Sequence, residues 1–267
     1  MAKKQRMATA VLLVAVLGGF AWEVLRLREG PEPVYQGKPL RLWLETYDTP
    51  GFIANGPEWQ KADEAVRQIG TNAVPALLRM LCKKDSPLAL KFIALAQKQQ
   101  FIKIRHIPAV TLNYQAAVGF QSLGSEAKDA IPALVEIYER NISRQSQRAT
   151  AEILGSLGPV AKQAIPALLR GATNAEFAAR LDAVTTLGQI HAEPKVVIPA
   201  LIKSLGDSNA LVRNAASSSL GSFGPEAKAA VPALLRMLSD KNPFVTANVT
   251  NSLKQIDPET AAKAGVK

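Results

Sequence analysis

Two histidines and one cysteine are all the imidazole and thiol chemistry this 267-residue chain possesses. His106 and His191 lie in unrelated contexts, and Cys82 has no second thiol, so neither a disulfide nor a thiolate or histidine metal site is expected. The chain lacks a phosphate-binding P-loop, a dinucleotide glycine fingerprint, an HExxH pair and a GxSxG elbow. Asp63, Glu64 and Glu126 read as exposed acids without a partner for acid–base work. His106 falls in an unusual connector and is kept as a candidate. Asn141-Ile-Ser143 and Asn248-Val-Thr250 match a glycosylation sequon, a pattern common by chance. The expectation is therefore no catalytic residue, no metal and no cofactor.

What remains is electrostatics. The formal charge of +10 is concentrated. Lys3, Lys4 and Arg6 supply three units, and residues 79–105 supply six from seven cations against the single acid Asp85, leaving +1 for the rest. Lys83, Lys84, Lys91, Lys98, Lys103 and Arg105 are candidate contacts for an anionic partner: an acidic protein, lipid headgroups or a polyanion. The competing reading is an ordinary solvated helix surface.

One phrase recurs along the chain and must provide the framework. It runs IGTNAVPALLRML (69–81), LGSEAKDAIPALVEIY (123–138), LGPVAKQAIPALLRGA (157–172), IHAEPKVVIPALIKSL (190–205) and FGPEAKAAVPALLRML (223–238). Pro132, Pro166, Pro199 and Pro232 are 34, 33 and 33 residues apart. Gly70, Gly124, Gly158 and Gly224 fit the end of a first helix, where a left-handed cap disfavours a Cβ. Each proline fits the start of a second helix, where its missing N–H costs nothing. His191 stands where the other phrases carry glycine and reads as a cap substitution, and Cys82 reads as a small helix-end residue. Each unit is thus a helix pair that buries its apolar faces only by stacking on neighbours.

This pattern resembles the short bacterial HEAT-like repeat named after phycobilisome lyases, over roughly residues 58–257. The resemblance implies an all-α solenoid of helix-turn-helix repeats that binds another protein. It also implies a polar ladder between repeats, to which Asp207 with Arg213, Asp85 with Lys91 and Asn174 with Arg180 correspond. Some HEAT-like proteins are lyases or glycosylases, but only the scaffold matches here.

The repeat breaks between Pro75 and Pro132, which are 57 residues apart. Pro87–Gln99 aligns with a first helix, no glycine-proline phrase follows, and a new first helix begins near Thr111. An extended or irregular segment near 99–110 is expected to replace one second helix.

Residues 7–22 carry no charge and follow the basic segment AKKQR. Sixteen helical residues span about 24 Å, and adding Val24, Leu25 and Leu27 brings the run near the roughly 30 Å of a bilayer core. The favoured reading is one N-terminal hydrophobic helix, a signal-anchor entering the membrane through residues 7–25, with the C-terminal part outside the cytoplasm. A cleaved signal peptide ending near Gly19-Phe20-Ala21, giving a secreted or periplasmic protein, is the alternative. A buried soluble helix is the third. The organisation expected is a leader (1–28), a linker and Trp43-bearing cap helix (29–57), the repeat domain (58–257) and a tail (258–267). The function expected is a non-catalytic scaffold for another protein, with an anion-binding module as the alternative. Nucleic acid is disfavoured because an exported domain rarely meets it.

Overall fold

The computed structural model describes residues 32–48, 56–98 and 106–265. The leader, Lys103 and Arg105 lie outside the described residues. The described chain is almost entirely helical, arranged in two layers.

Its first element is a tiny antiparallel hairpin, β1 (Val34–Tyr35) and β2 (Lys38–Pro39), where the sequence suggests an extended linker. Gln36 and Gly37 both adopt positive φ, the conformation a two-residue hairpin turn needs. Gln36 is an unusual residue for that role, which hides the turn in the sequence. The Trp43 indole N–H donates to the carbonyls of Tyr35 and Lys38 at 3.3 and 3.2 Å, and the Lys38 ammonium sits 4.0 Å from the ring centroid. Helix α1 (Leu40–Leu44) follows and packs its buried Leu40 and Leu44 against the first stacked helices.

The stack contains α2 (Pro57–Ile69) with α3 (Val74–Leu81), then α5 (Ala109–Leu123) with α6 (Ile131–Arg140). It continues through α7 (Arg144–Ser156) with α8 (Ile165–Gly171), and α9 (Phe177–Ile190) with α10 (Pro194–Ser204). It ends in α11 (Ala210–Ser222) with α12 (Val231–Met237), and α13 (Pro243–Ile256) with the short α14 (Pro258–Lys263). Gly70, Gly124, Gly158 and Gly224 have φ between 54° and 62°. His191 ends α9 at φ 49°, ψ 47°, a left-handed conformation open to a residue with a Cβ, and stacks on Phe223 at 4.5 Å. A 3-10 turn links glycine to the second helix in each of the other four units. After His191 the second helix instead begins early at Pro194, so Pro199 lies inside α10 rather than at its start.

Leu154, Leu187, Leu220 and Leu253 recur every 33 residues and have no exposed surface. They belong to the layer α7, α9, α11, α13, whose members pack directly on one another; α8, α10 and α12 barely touch along the stack. The layer with the closer spacing is the inside of a curve, so these four helices line the concave side. Close approach has a specific cause. A Cβ on Gly188 would lie 3.0 Å from Ser219 Cα, and one on Gly221 3.2 Å from Ser252 Cα. Across the same contacts a hydroxyl reaches the preceding helix: Thr186 to the Ala151 carbonyl (3.3 Å), Ser219 to Val184 (3.1 Å) and Ser252 to Ser217 (2.8 Å). Each such bond contributes about 1 kcal/mol and fixes helix rotation.

An ionic ladder runs along the helix starts. Arg180 donates to both carboxylate oxygens of Asp207 at 2.7 and 2.8 Å, and Arg213 to both of Asp240 at 2.8 and 2.9 Å. Each arginine also holds two carbonyls of its own turn, Asn174 and Ala175 or Asp207 and Ser208. Each pair therefore joins the arginine of one unit to the aspartate of the next. Between α7 and α9 the corresponding positions are the neutral Gln147 and Asn174, and α7 is tied instead through Arg144 to Asp182.

Helix α4 (Pro87–Lys98) does not continue the stack. Both α2 and α3 pack on α5, and among the described residues α4 has no substantial contact with any element. The alignment of Pro87–Gln99 with a first helix is thus misleading: α5 takes the next inner place, and the excess over one period is an insertion between α3 and α5. The cause is visible at the rejoining point, where Asp85 accepts the Ala109 N–H at 3.1 Å on each oxygen and Asn113 holds the Met80 and Leu81 carbonyls.

Removing the Arg213 side chain leaves Asp240 buried without its partner. Arg213→Ala should cost about 3–5 kcal/mol, opening α13 and α14 before the rest, as hydrogen exchange would register. Arg213→Met with Asp240→Leu should recover most of the loss. The arginine hydrogen bonds hold the Asp207 and Asp240 carboxyls below the ordinary carboxylate value. Their stabilisation is complete above the unfolded value of about 4 and is lost as pH falls through the lower folded values. Asp182, raised by burial, works in the opposite sense. Denaturant titrations should show a shallower acid loss of stability in Asp207→Asn/Asp240→Asn than in the parent.

Candidate protein-binding face

The concave side of α9, α11 and α13 carries open apolar side chains among neutral polar ones. On α11, Leu211, Asn214 and Ser218 follow one another at i, i+3 and i+7, and so share one face. With Leu181 and Thr185 of α9 and Asn248 of α13 they line a shallow groove of about 280 Å³. Leu211 is 56% exposed and Phe244, at the start of α13, 81%. The Asn248 amide N–H donates to Asn214 Oδ1 at 2.9 Å. Among the described residues no group then pairs with the Asn214 amide N–H groups or with Asn248 Oδ1. One donor and one acceptor side by side match the C=O and N–H of an extended peptide.

Toward the N-terminal half the face becomes charged but balanced. Arg148 Nε lies 2.9 Å from Glu152 Oε1 on α7, and this carboxylate raises the Arg148 pKa. Arg144 pairs with Asp182, whose carboxyl is raised by burial against the lowering effect of that arginine. Tyr138 is buried with no hydrogen-bond partner for its hydroxyl among the described residues, and burial pushes it up to about 12. It occupies the position of Leu81, Leu205 and Leu238 in the recurring phrase, and Gly171 supplies the room, since a Cβ there would collide with the Tyr138 hydroxyl. The pair is a shape fit between units.

The residues chosen from the sequence lie elsewhere. Lys83, Lys84 and Lys91 are exposed around the insertion, and Lys98 ends α4. None of them reaches the groove. His106 Nε2 is 3.3 Å from Asp85 Oδ1, and this pair caps α5. Cys82 is the half-buried cap residue of α3. Asp63 is not an isolated exposed acid: it accepts from Tyr47 and Ser122, both at 2.7 Å, and so fastens α2 to α5 and to the 3-10 turn Glu45–Asp48 that follows α1. Asn141 is a left-handed helix cap, and Asn248 is held inside α13. Among the described residues no group of His, Cys, Asp and Glu could hold a metal ion, and no helix is long and apolar enough to cross a membrane. The groove residues escape sequence reading because they are the positions that vary between units. Only the 33-residue recurrence of Gly155, Gly188 and Gly221 marked which side of the first helices is packed closest.

Comparison with known proteins gives the fold. No curated protein matches the sequence. The chain is similar in structure to human deoxyhypusine hydroxylase in complex with glycerol, at 18% identity over 78% of this chain and 91% of that one, with a TM-score of 0.32. It is also similar to two engineered proteins, each at 16% identity. One match covers 86% of this chain and 62% of the other with a TM-score of 0.41; the second covers 84% and 97% with a TM-score of 0.43. The family model for HEAT repeats matches residues 131–221 and 198–264, which together span half of the chain. The chain belongs to the HEAT-repeat family.

Proposed function

We propose that this protein is a non-catalytic HEAT-repeat scaffold that binds another protein along the concave side of α9, α11 and α13. The observation that carries the reading is the uncharged groove with Leu211 and Phe244 open to solvent beside the half-paired amides of Asn214 and Asn248. Such a surface offers an extended segment apolar anchors together with backbone hydrogen bonding. The short-repeat variety is supported by the 33-residue spacing of the prolines. The apolar run at 7–25, preceded by Lys3, Lys4 and Arg6, supports tethering to the cytoplasmic membrane of a bacterium with the repeats outside, or export after cleavage.

Photo-crosslinkers placed at Leu211 or Ser218 should yield adducts in envelope extract, while one at the exposed Lys162 on the opposite side should not. Leu211→Glu with Phe244→Glu should abolish the adducts and change stability by less than about 1 kcal/mol. Equal labelling at both sides would end the proposal. A C-terminal tag should fractionate with membranes and be cleaved by externally added protease; a tag found in the cytosol would remove the tether.

A further inference from the structure

Helix α4 is the feature that the scaffold reading leaves unused. It stands outside the stack, yet Leu88, Leu90 and Leu95 are 78%, 41% and 63% exposed. In a twelve-residue helix without substantial contact to another element among the described residues this is a costly arrangement, because helices of that length are marginal in water without a surface to pack on. The spacing of its residues says what that surface is. Leu88, Lys91 and Leu95 fall at i, i+3 and i+7, one face on which a lysine stands between two leucines. Lys84 precedes this face, and both Lys84 and Lys91 are exposed without a carboxylate partner among the described residues. The only acid between residues 79 and 105, Asp85, is engaged by the Ala109 N–H and His106. The positive charge of Lys84 and Lys91 is thus uncompensated among the described residues.

A protein groove is a poor match for such a face. The buried centres of protein interfaces are depleted in lysine, and each lysine would need its own carboxylate opposite. The boundary of an anionic bilayer offers both requirements at once, acyl chains for the leucines and a plane of phosphates within reach of the flexible lysine stems. At about 18 Å, α4 is too short to cross a hydrocarbon core of roughly 30 Å, so it would lie in the plane. We propose that α4 docks on the surface of an anionic phospholipid bilayer, with Leu88 and Leu95 in the acyl boundary and Lys84 and Lys91 on the headgroups. The proposal is independent of the groove on α9, α11 and α13 and of the N-terminal anchor.

The full-length protein, carrying Cys82→Ser and Leu95→Cys labelled with a polarity-sensitive fluorophore, is mixed with vesicles. The readout is local to α4, so a tether elsewhere in the chain does not produce it. On vesicles of equal parts phosphatidylcholine and phosphatidylglycerol the emission should shift to the blue and be quenched by brominated acyl chains. On phosphatidylcholine alone it should stay that of water. Lys84→Glu/Lys91→Glu should weaken the signal by about fivefold or more per lysine, and high salt should weaken it too. Leu88→Ser in the labelled protein should weaken the signal, and Leu88→Ser/Leu95→Ser in the unlabelled protein should leave the melting temperature unchanged. A label that remains in water on anionic vesicles, an equal response on both lipids, shielding only by added envelope protein, or a lower melting temperature of the serine variant would each overturn the proposal.

Discussion

The contact of Gly188 with Ser219, repeated at Gly221 with Ser252, sets most of the architecture. Only a residue without a side chain allows neighbouring inner helices to come close enough for a hydroxyl to reach the carbonyl of the helix before it. The outer layer has no such device. Its helices stay further apart, and that difference in spacing is what bends the stack. Curvature in turn decides which side chains face inward with nothing to cover them. Leu211 is exposed and Asn214 half-buried because the helices on either side of α11 are pinned at that close spacing.

The same logic explains how an insertion is tolerated. In a solenoid each unit contacts only its neighbours, so the chain can leave the stack wherever the next inner helix still finds its place. The cost is that the helix ends on either side of the departure lose their usual partners. Asp85 and Asn113 supply substitutes, the first for the amide at the start of α5 and the second for the carbonyls at the end of α3. Ser146 adds a third bond, from α7 back to the Leu81 carbonyl at 2.6 Å. The ionic ladder is confined to the C-terminal units, while the units near the insertion are held by neutral amides, a hydroxyl and the Tyr138–Gly171 fit.

How much of this was legible in the sequence follows from which interactions repeat. Glycine caps and helix-starting prolines recur at a fixed period, so their roles could be read from the spacing, while the polar ladder between repeats was implied by the family resemblance and is formed by Arg180–Asp207 and Arg213–Asp240. Pro199 and Gln36 were misleading because each sits in a local variant of a common motif, an early helix start and a hairpin turn without its usual residues. Helix α4 was misplaced for a subtler reason. Its sequence has the composition of a first helix, and composition does not reveal whether an apolar face is covered. The groove was invisible because its positions recur with the repeat, Thr185 with Ser218 and Ala215 with Asn248, while their residue types do not.

Two of the exposed apolar surfaces of the described chain differ in a way that bears on what each can bind. Leu211 and Phe244 stand among neutral amides and hydroxyls, where a partner must satisfy hydrogen bonds of fixed direction; recognition there is geometric. Leu88 and Leu95 stand beside lysines on a helix without substantial contact to another described element, where a partner need only offer an apolar layer under a negative plane; recognition there is by charge and depth. A fixed groove discriminates between segments of chain, and a loosely held basic helix discriminates between surfaces. Because the insertion enters the stack between α3 and α5, far along the chain from α11 and α13, occupation of one surface leaves the other open. A scaffold built in this way can hold a protein while resting on a membrane.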